Sequence, residues 1–183
     1  MRGFLFFALL KSDKVRVLFE MKQKKAFQDY FPGNSCHGCG PANERGLKIK
    51  SYWLDESLDW LGRDVAVCSF KPRLYHAAAT PDIVNGGITY SLMDCHAIWT
   101  AIAARHRFEK REEFGSLPLI WYVTAGADWI RYLAPTPLDT ELLVIAKVKF
   151  MHEKICTLET AVIARGAVTV KGQFTAYKVN KEV

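Results

Sequence analysis

Asn85-Gly86-Gly87 followed by Asp94 is the stretch of this sequence whose residue types and spacing could do chemistry. Backbone N–H groups in the first turn of a helix have no intrahelical partner, and the helix dipole adds partial positive charge there. A helix opened by two glycines therefore offers a ready anion site. Glycine costs a helix about 1 kcal/mol relative to alanine, so the pair needs a reason, and close approach of a ligand to bare backbone is one. Asp94 lies seven residues after Gly87, which at about 100° per residue returns it to the same face, with Tyr90, Ser91 and Ala97 beside it. Burial on an apolar helix would raise the carboxyl pKa and make Asp94 a better base.

These residues must be held by a helix. Asn85 is a preferred N-cap, and Ile88, Leu92, Cys95, Trp99 and Ile102 recur at the 3.6-residue period, so a helix is predicted from Gly86 to about Arg105. Residues 105–113, dense in charge, form its solvated exit. Upstream, 24–31 reads as a short amphipathic helix stopped by Pro32-Gly33, and 34–46 as a chain of turns rich in Gly, Pro and Asn. Strands are predicted at 47–54 and 65–70, joined by a turn at 55–64, and then at 117–132, 141–151, 155–164 and 167–179. The last three strands, joined by tight turns, give an antiparallel meander whose apolar face needs a cover. The one long apolar helix supplies it. The fold class is α+β, an antiparallel β-sheet wrapped around a single long central helix.

A chain of 183 residues suits one domain. Its net charge of +6 comes from scattered basic residues with no dense run among aromatics, which argues against a nucleic-acid partner. Five cysteines, an odd number, argue against a disulfide framework and place the expectation in a reducing cytoplasm. The apolar run 4–10 is too short to span a bilayer and is broken by Lys11, Asp13 and Lys14, so no membrane association is expected. Translation from Met21 is expected, which makes 1–23 an N-terminal extension and 24–183 a single domain.

Other residues carry weaker signals. Cys36, His37 and Cys39 have a zinc-like spacing, but structural zinc takes four ligands, and Cys68, Cys95 and Cys156 stand singly in helix or strand. No metal is expected, and the loop reads as a reduced turn shaping a site rim. His76 precedes the turn Thr80-Pro81-Asp82, near the mouth of a site on the helix. Ser91, Tyr90 and Thr100 are the helix residues that could satisfy Asp94. No Gly-x-Ser-x-Gly nucleophile elbow occurs.

Three blocks in this order resemble the hotdog-fold thioesterases, in particular the PaaI-type acyl-CoA thioesterase group. The first is Asn85-Gly86-Gly87 with Asp94 eight positions after Gly86, similar to a His-Gly-Gly helix entrance followed by an acidic residue. The second is Asp128-Trp129-Ile130-Arg131-Tyr132-Leu133-Ala134-Pro135-Thr136-Pro137-Leu138, similar to a Tyr-Leu-x-Pro-x-Pro strand exit. The third is Cys36-x-x-Cys39-Gly40-x-x-Asn43-x-x-Gly46-Leu47. The resemblance covers roughly residues 27 to 179. It implies hydrolysis of an acyl-CoA thioester, with Asp94 as general base or nucleophile and the Gly87 and Gly86 N–H groups polarising the carbonyl. Asn85 replaces the family's histidine, caps a helix well and cannot act as an acid or base at neutral pH.

Gly87 and Asp94 are about 10 Å apart along a helix, whereas a carbonyl, its donor and a base-held water fit within roughly 6 to 8 Å. The family meets this by pairing subunits, so the resemblance implies a homodimer or dimer of dimers with each site built in trans. No cofactor is expected. Ser91 and His76 are the expected substrate neighbours, and Lys154, Arg131 and Lys147 the candidates for coenzyme A phosphates. The alternatives are a non-catalytic acyl-CoA-binding or sensing protein on the same fold, and a hotdog dehydratase.

Overall fold

The computed structural model describes residues 25–54, 64–111, 114 and 120–179. The N-terminal extension with its Met21 start, most of the 55–64 turn, the end of the helix exit and the start of the predicted strand at 117 lie outside the described residues.

The apolar period beginning at Gly86 forms helix α1, Gly86–Phe108, three residues longer than its apolar stripe predicts. Contacts beyond the stripe accompany the extension: Arg105 is buried, donates from Nε to Glu109 at 2.7 Å and from Nη1 to the His152 carbonyl, 47 residues away, at 3.2 Å. The last turn carries Arg105, His106 and Arg107, the charge sign that a helix C-terminus favours.

Six strands form one sheet: β1 (Ser51–Trp53), β2 (Val65–Phe70), β3 (Trp121–Tyr132), β4 (Leu142–Met151), β5 (Ile155–Ala164) and β6 (Ala167–Val179). Their order is β1-β2-β4-β5-β6-β3, antiparallel throughout. The meander predicted at the C-terminus is β4-β5-β6, and β3 closes the far edge beside β6. The strand predicted at 47–54 is shortened to three residues because the chain before it pairs elsewhere. Leu47 and Ile49 donate to the carbonyls of His37 and Gly38, and Lys48 adopts a positive φ of 52°, which breaks the extended run.

Side chains alternate across a sheet, and here both faces carry buried apolar residues. Ala66, Cys68, Leu142, Val144, Cys156, Leu158, Phe174 and Ala176 join the core that contains Leu92, Met93, Trp99 and Ile102 of α1. Val65, Val67, Leu143, Ile145 and Ile163 point the other way and form a second apolar cluster with Leu54. That second cluster is why the alternation in β4 is incomplete at its start, where five successive residues are buried.

The helix is buried on nearly every side rather than along one stripe. Ala97, Ala101, Ala103 and Ala104 let it lie close to the sheet, and His96 at 0% exposure is its one fully buried imidazole. His96 Nε2 donates to the Ala66 carbonyl at 3.1 Å, so Nδ1 accepts from the Ser51 hydroxyl at 2.8 Å. Gln28 closes the network, donating to Ser51 Oγ at 2.9 Å and accepting from Ser51 N at 2.8 Å. One polar chain thus ties the 3-10 turn Phe27–Tyr30, β1, β2 and α1 together.

Burial pushes His96 down to about 4 from its ordinary 6.5, so it is neutral in the folded chain. Its favourable contribution is complete above pH 6.5 and is lost as the pH falls from 6.5 toward 4, where the unfolded imidazole takes up a proton and the folded one does not. Urea titrations across this window should show stability falling on acidification, with a slope from His96 approaching 1.4 kcal/mol per pH unit, about the value for one proton. His96→Asn, which cannot titrate, should flatten that part of the slope. An unchanged slope in a folded variant contradicts the assignment.

Candidate functional site

Over its first half α1 exposes one strip. Gly87 and Tyr90 are exposed, while Ser91 and Asp94 are half-buried, and these four follow one another at helical spacing. The predicted shared face of Gly87 and Asp94 is therefore also the open face of an otherwise enclosed helix.

Asn85 caps the helix as its residue type predicts: its Oδ1 accepts from the Gly87 N–H at 2.7 Å, and its carbonyl takes the N–H groups of Ile88 and Thr89 at 3.0 and 3.2 Å. The consequence bears on the chemistry. The Gly87 donor is engaged by the cap, which leaves the Gly86 N–H as the first-turn donor with no protein partner among the described residues. Both glycines have a steric reason as well. A Cβ on Gly86 would lie 3.3 Å from the Tyr132 hydroxyl, and one on Gly87 would lie 3.0 Å from Asn85 Oδ1. The Tyr132 hydroxyl itself donates to the Gly86 carbonyl at 3.1 Å and joins the end of β3 to the helix entrance.

Asp94 accepts from the hydroxyl of Thr124 on β3. The partners expected from the helix are occupied elsewhere: Ser91 Oγ donates to the Gly87 carbonyl at 2.9 Å and Thr100 Oγ1 to the His96 carbonyl at 2.7 Å, each bonding one turn back. Thr124 is aimed by its strand. The β3–β6 register shifts between Thr124 and Gly126 and again between Ala127 and Trp129, and such bulges turn side chains and end regular pairing. Burial pushes the Asp94 carboxyl above the usual carboxylate range, the Thr124 bond pulls it back, and charge on nearby Cys36 pushes it up; the net direction is up. A carboxylate raised in this way is the stronger base.

His76 stands behind the entrance rather than in it. Its carbonyl accepts from Asn85 N at 2.8 Å, while its buried ring packs on Phe70 and Tyr75 and accepts at Nδ1 from Arg73 N at 3.1 Å. The three basic candidates are not gathered at the helix entrance. Lys147 follows Leu143 and Ile145 on the sheet face turned away from α1, and Arg131 shares that face through its register with Lys171, Ala161 and Ile145. Lys154 lies in the β4–β5 turn beside His152, at the C-terminal end of α1. The parity of the sheet places the first two; two residues along a strand keep a face and one residue changes it.

A cleft of about 460 Å³ opens at the helix entrance, lined by Val84, Gly86, Thr89, Tyr132, Pro135 and Thr136 among others. Asp94 is not in its wall. Gly86 and Thr89 look into the cleft, whereas Asp94 lies about 100° further around the helix, on the open strip.

One loop meets the strip. Cys36 Sγ lies 3.7 Å from Cys95 Sγ, so the residue after Asp94 touches the turn that carries Cys36 and Cys39. Cys95 does not stand singly as its sequence position suggests. The hydrogen bond with Cys95 holds the Cys36 thiol down at about 4, and the same bond pushes Cys95 well above the usual thiol range.

Among the described residues, one long helix against a six-stranded antiparallel sheet, with glycines at the helix entrance and a carboxylate two turns on, defines the hotdog class. A solved thioesterase-superfamily protein from Shewanella loihica PV-4 is 30% identical, over 76% of this chain and 98% of that one, with a TM-score of 0.55. The chain belongs to the hotdog-fold thioesterase superfamily. The PaaI protein of the Escherichia coli phenylacetic acid degradation operon shares the fold at 13% identity, covering 73% of this chain and 81% of that one, with a TM-score of 0.56. A hypothetical thioesterase from Streptococcus pneumoniae TIGR4, solved with coenzyme A, shares it at 17% identity, covering 65% and 81%, with a TM-score of 0.52. No family model and no curated protein matches the sequence. No described helix is long and apolar enough to cross a membrane.

Replacing Asn85 with Ala removes the cap and leaves the Gly87 N–H without its partner. Chemical denaturation should show a loss of about 1 kcal/mol, the usual worth of such a cap. A variant as stable as the parent would show that Asn85 is not held as a cap in solution.

Proposed function

We propose that the protein hydrolyses an acyl-CoA thioester to the free acid and coenzyme A, with Asp94 as the general base or nucleophile. One observation carries this reading: Asp94, hydrogen-bonded by Thr124 and raised in pKa by burial, is the one carboxylate on the open strip of α1 among the described residues. The Gly86 N–H supplies the first donor that a developing oxyanion needs, and the Gly87 N–H a second once its bond to Asn85 is released or shared. The apolar cleft at Gly86 receives part of the thioester substrate, and its lining by Val84, Pro135 and the Tyr132 ring suits that role.

The site is completed by a second copy of the chain. Within one subunit the Gly86 cleft and Asp94 point to different sides of α1, and the axial separation of Gly87 and Asp94 is about 10 Å. Strand β3 stands at the sheet edge with Val123, Trp129, Tyr132 and Leu133 exposed, the edge a partner would cover. A homodimer, alone or paired again into a tetramer, sets the glycines of one subunit against Asp94 of the other. Arg131 and Lys147 face away from α1, so coenzyme A phosphates within this subunit are left to other groups.

A non-catalytic acyl-CoA-binding protein of the same fold is the second reading, and one observation favours it: the Asn85 side chain occupies the Gly87 N–H that would polarise the carbonyl. A dehydratase needs an imidazole beside its carboxylate, and among the described residues no histidine bonds Asp94.

Free-thiol release across short, long and aryl acyl-CoAs separates these readings. The parent should turn over at least one class, and Asp94→Asn should lose about 10²- to 10⁴-fold in kcat, the usual worth of a general base. Equal rates in both sink the assignment of Asp94. Binding without turnover selects the second reading.

The pH profile gives an independent check. The carboxylate is the active form, so kcat/KM should rise with pH through the Asp94 ionisation, on a limb displaced above that of an ordinary carboxylate. The Thr124 bond lowers that pKa, so Thr124→Val should move the limb to still higher pH. A limb that does not move in Thr124→Val detaches the profile from Asp94.

A further inference from the structure

We infer that Cys36, Cys39 and Cys95 form a site for one thiophilic divalent cation, zinc or a similar ion, that pins the 34–46 loop to α1. The three sulfurs all lie within 4.8 Å of one another, and Cys36 and Cys95 are 3.7 Å apart. A tetrahedral zinc with bonds of about 2.3 Å to sulfur sets its ligands about 3.8 Å apart, so the triangle is close to the face that zinc would bind. It is far from the bonded separation of a disulfide, which is about 2.0 Å.

The surroundings are built for sulfur. Asn34 Nδ2 donates to Cys39 Sγ at 3.8 Å. Donors aimed at sulfur favour the thiolate, which is the ligating form. Asn34 also fixes the turn itself, accepting at Oδ1 from Cys36 N at 2.9 Å, and Gly40 N returns to the Cys36 carbonyl at 2.8 Å.

Two glycines are required by this close approach. A Cβ on Gly38 would fall 2.4 Å from Cys95 Sγ, and one on Gly40 would fall 2.4 Å from Cys36 N and 2.5 Å from the Asn34 carbonyl. The loop can therefore bring its two thiols onto the helix only with glycine at both places.

Three thiolates leave the fourth position of a tetrahedral ion to water. The ion would fix the loop that borders Asp94, since Cys95 is its chain neighbour. This inference stands on the sulfur geometry and does not depend on the acyl-CoA reading, so either can fail alone.

The test is metal content and cobalt spectroscopy on the full chain without a histidine tag, reduced, loaded with zinc and dialysed. About one equivalent of zinc per chain is expected, together with an intense thiolate-to-cobalt charge-transfer band when Co²⁺ replaces it. Cys36→Ser and Cys95→Ser should each lose the band and at least tenfold in zinc affinity, while Cys156→Ala, a cysteine outside the triangle, should keep both. Cys36 is exposed, so its variant tests the site even if the Cys95 variant fails to fold. Reduced parent protein that holds less than about a tenth of an equivalent and gives no cobalt band overturns the inference. So does zinc that persists undiminished in folded Cys36→Ser.

Discussion

Enclosure of α1 is the constraint on which the rest of the structure depends. The sheet and the segment from Ala26 to Trp53 cover the helix so fully that polar residues along its middle bond inside the protein. His96 does so with Ser51 and Ala66, and Thr100 bonds back one turn. Burying such groups without partners costs about 1–3 kcal/mol each, so the network is a condition of the packing and not an ornament on it. Small residues at 97, 101, 103 and 104 allow the helix to approach the strands closely. What stays uncovered in the first half of the helix is the strip from Gly87 to Asp94, the strip that carries the proposed base.

Strand β3 sets the character of that strip. It is a sheet edge, and its two bulges follow directly after Thr124, the residue that meets Asp94. A regular strand would continue pairing and hold its side chains at fixed intervals; the irregular one delivers Thr124 to the carboxylate and leaves large apolar side chains open to solvent. The same element therefore bonds Asp94, the base of the proposed mechanism, and leaves an edge open for the second subunit that the proposal requires. At the helix entrance, by contrast, stability and reactivity pull apart. Asn85 steadies the first turn by bonding the Gly87 N–H, and the proposed mechanism requires that donor to be released or shared when a carbonyl oxygen arrives.

Local chemistry was legible in the sequence and long-range convergence was not. The Asn85 cap, the glycine turn and the shared face of Gly87 and Asp94 follow from spacing within one helix, and the structure has each. The C-terminal meander follows from alternation and turns. The end of α1 at Phe108 instead of Arg105 depends on the His152 carbonyl, 47 residues away, and Thr124 reaches Asp94 across 30 residues. Neither has a local signal. Cys95 looked like one more apolar position on the helix, and only the turn of the 34–46 loop sets it against Cys36. Lys147 and Arg131 are different: counting alternate residues from Leu143 and Ile145, and then across the strand register, would have turned both away from the helix.

The central claim is that the open strip of one helix is completed by a second copy of the chain, so that glycines and carboxylate meet across subunits. Mixing separately inactive Asp94→Asn and Gly87→Val proteins, with subunit exchange, tests this most directly. Half of the dimers in a random mixture would be mixed, and each would hold one intact site in two, so thiol release should recover to about a quarter of the parent value. A mixture that exchanges subunits and yet stays as inactive as its parts would show that each subunit carries its own complete site.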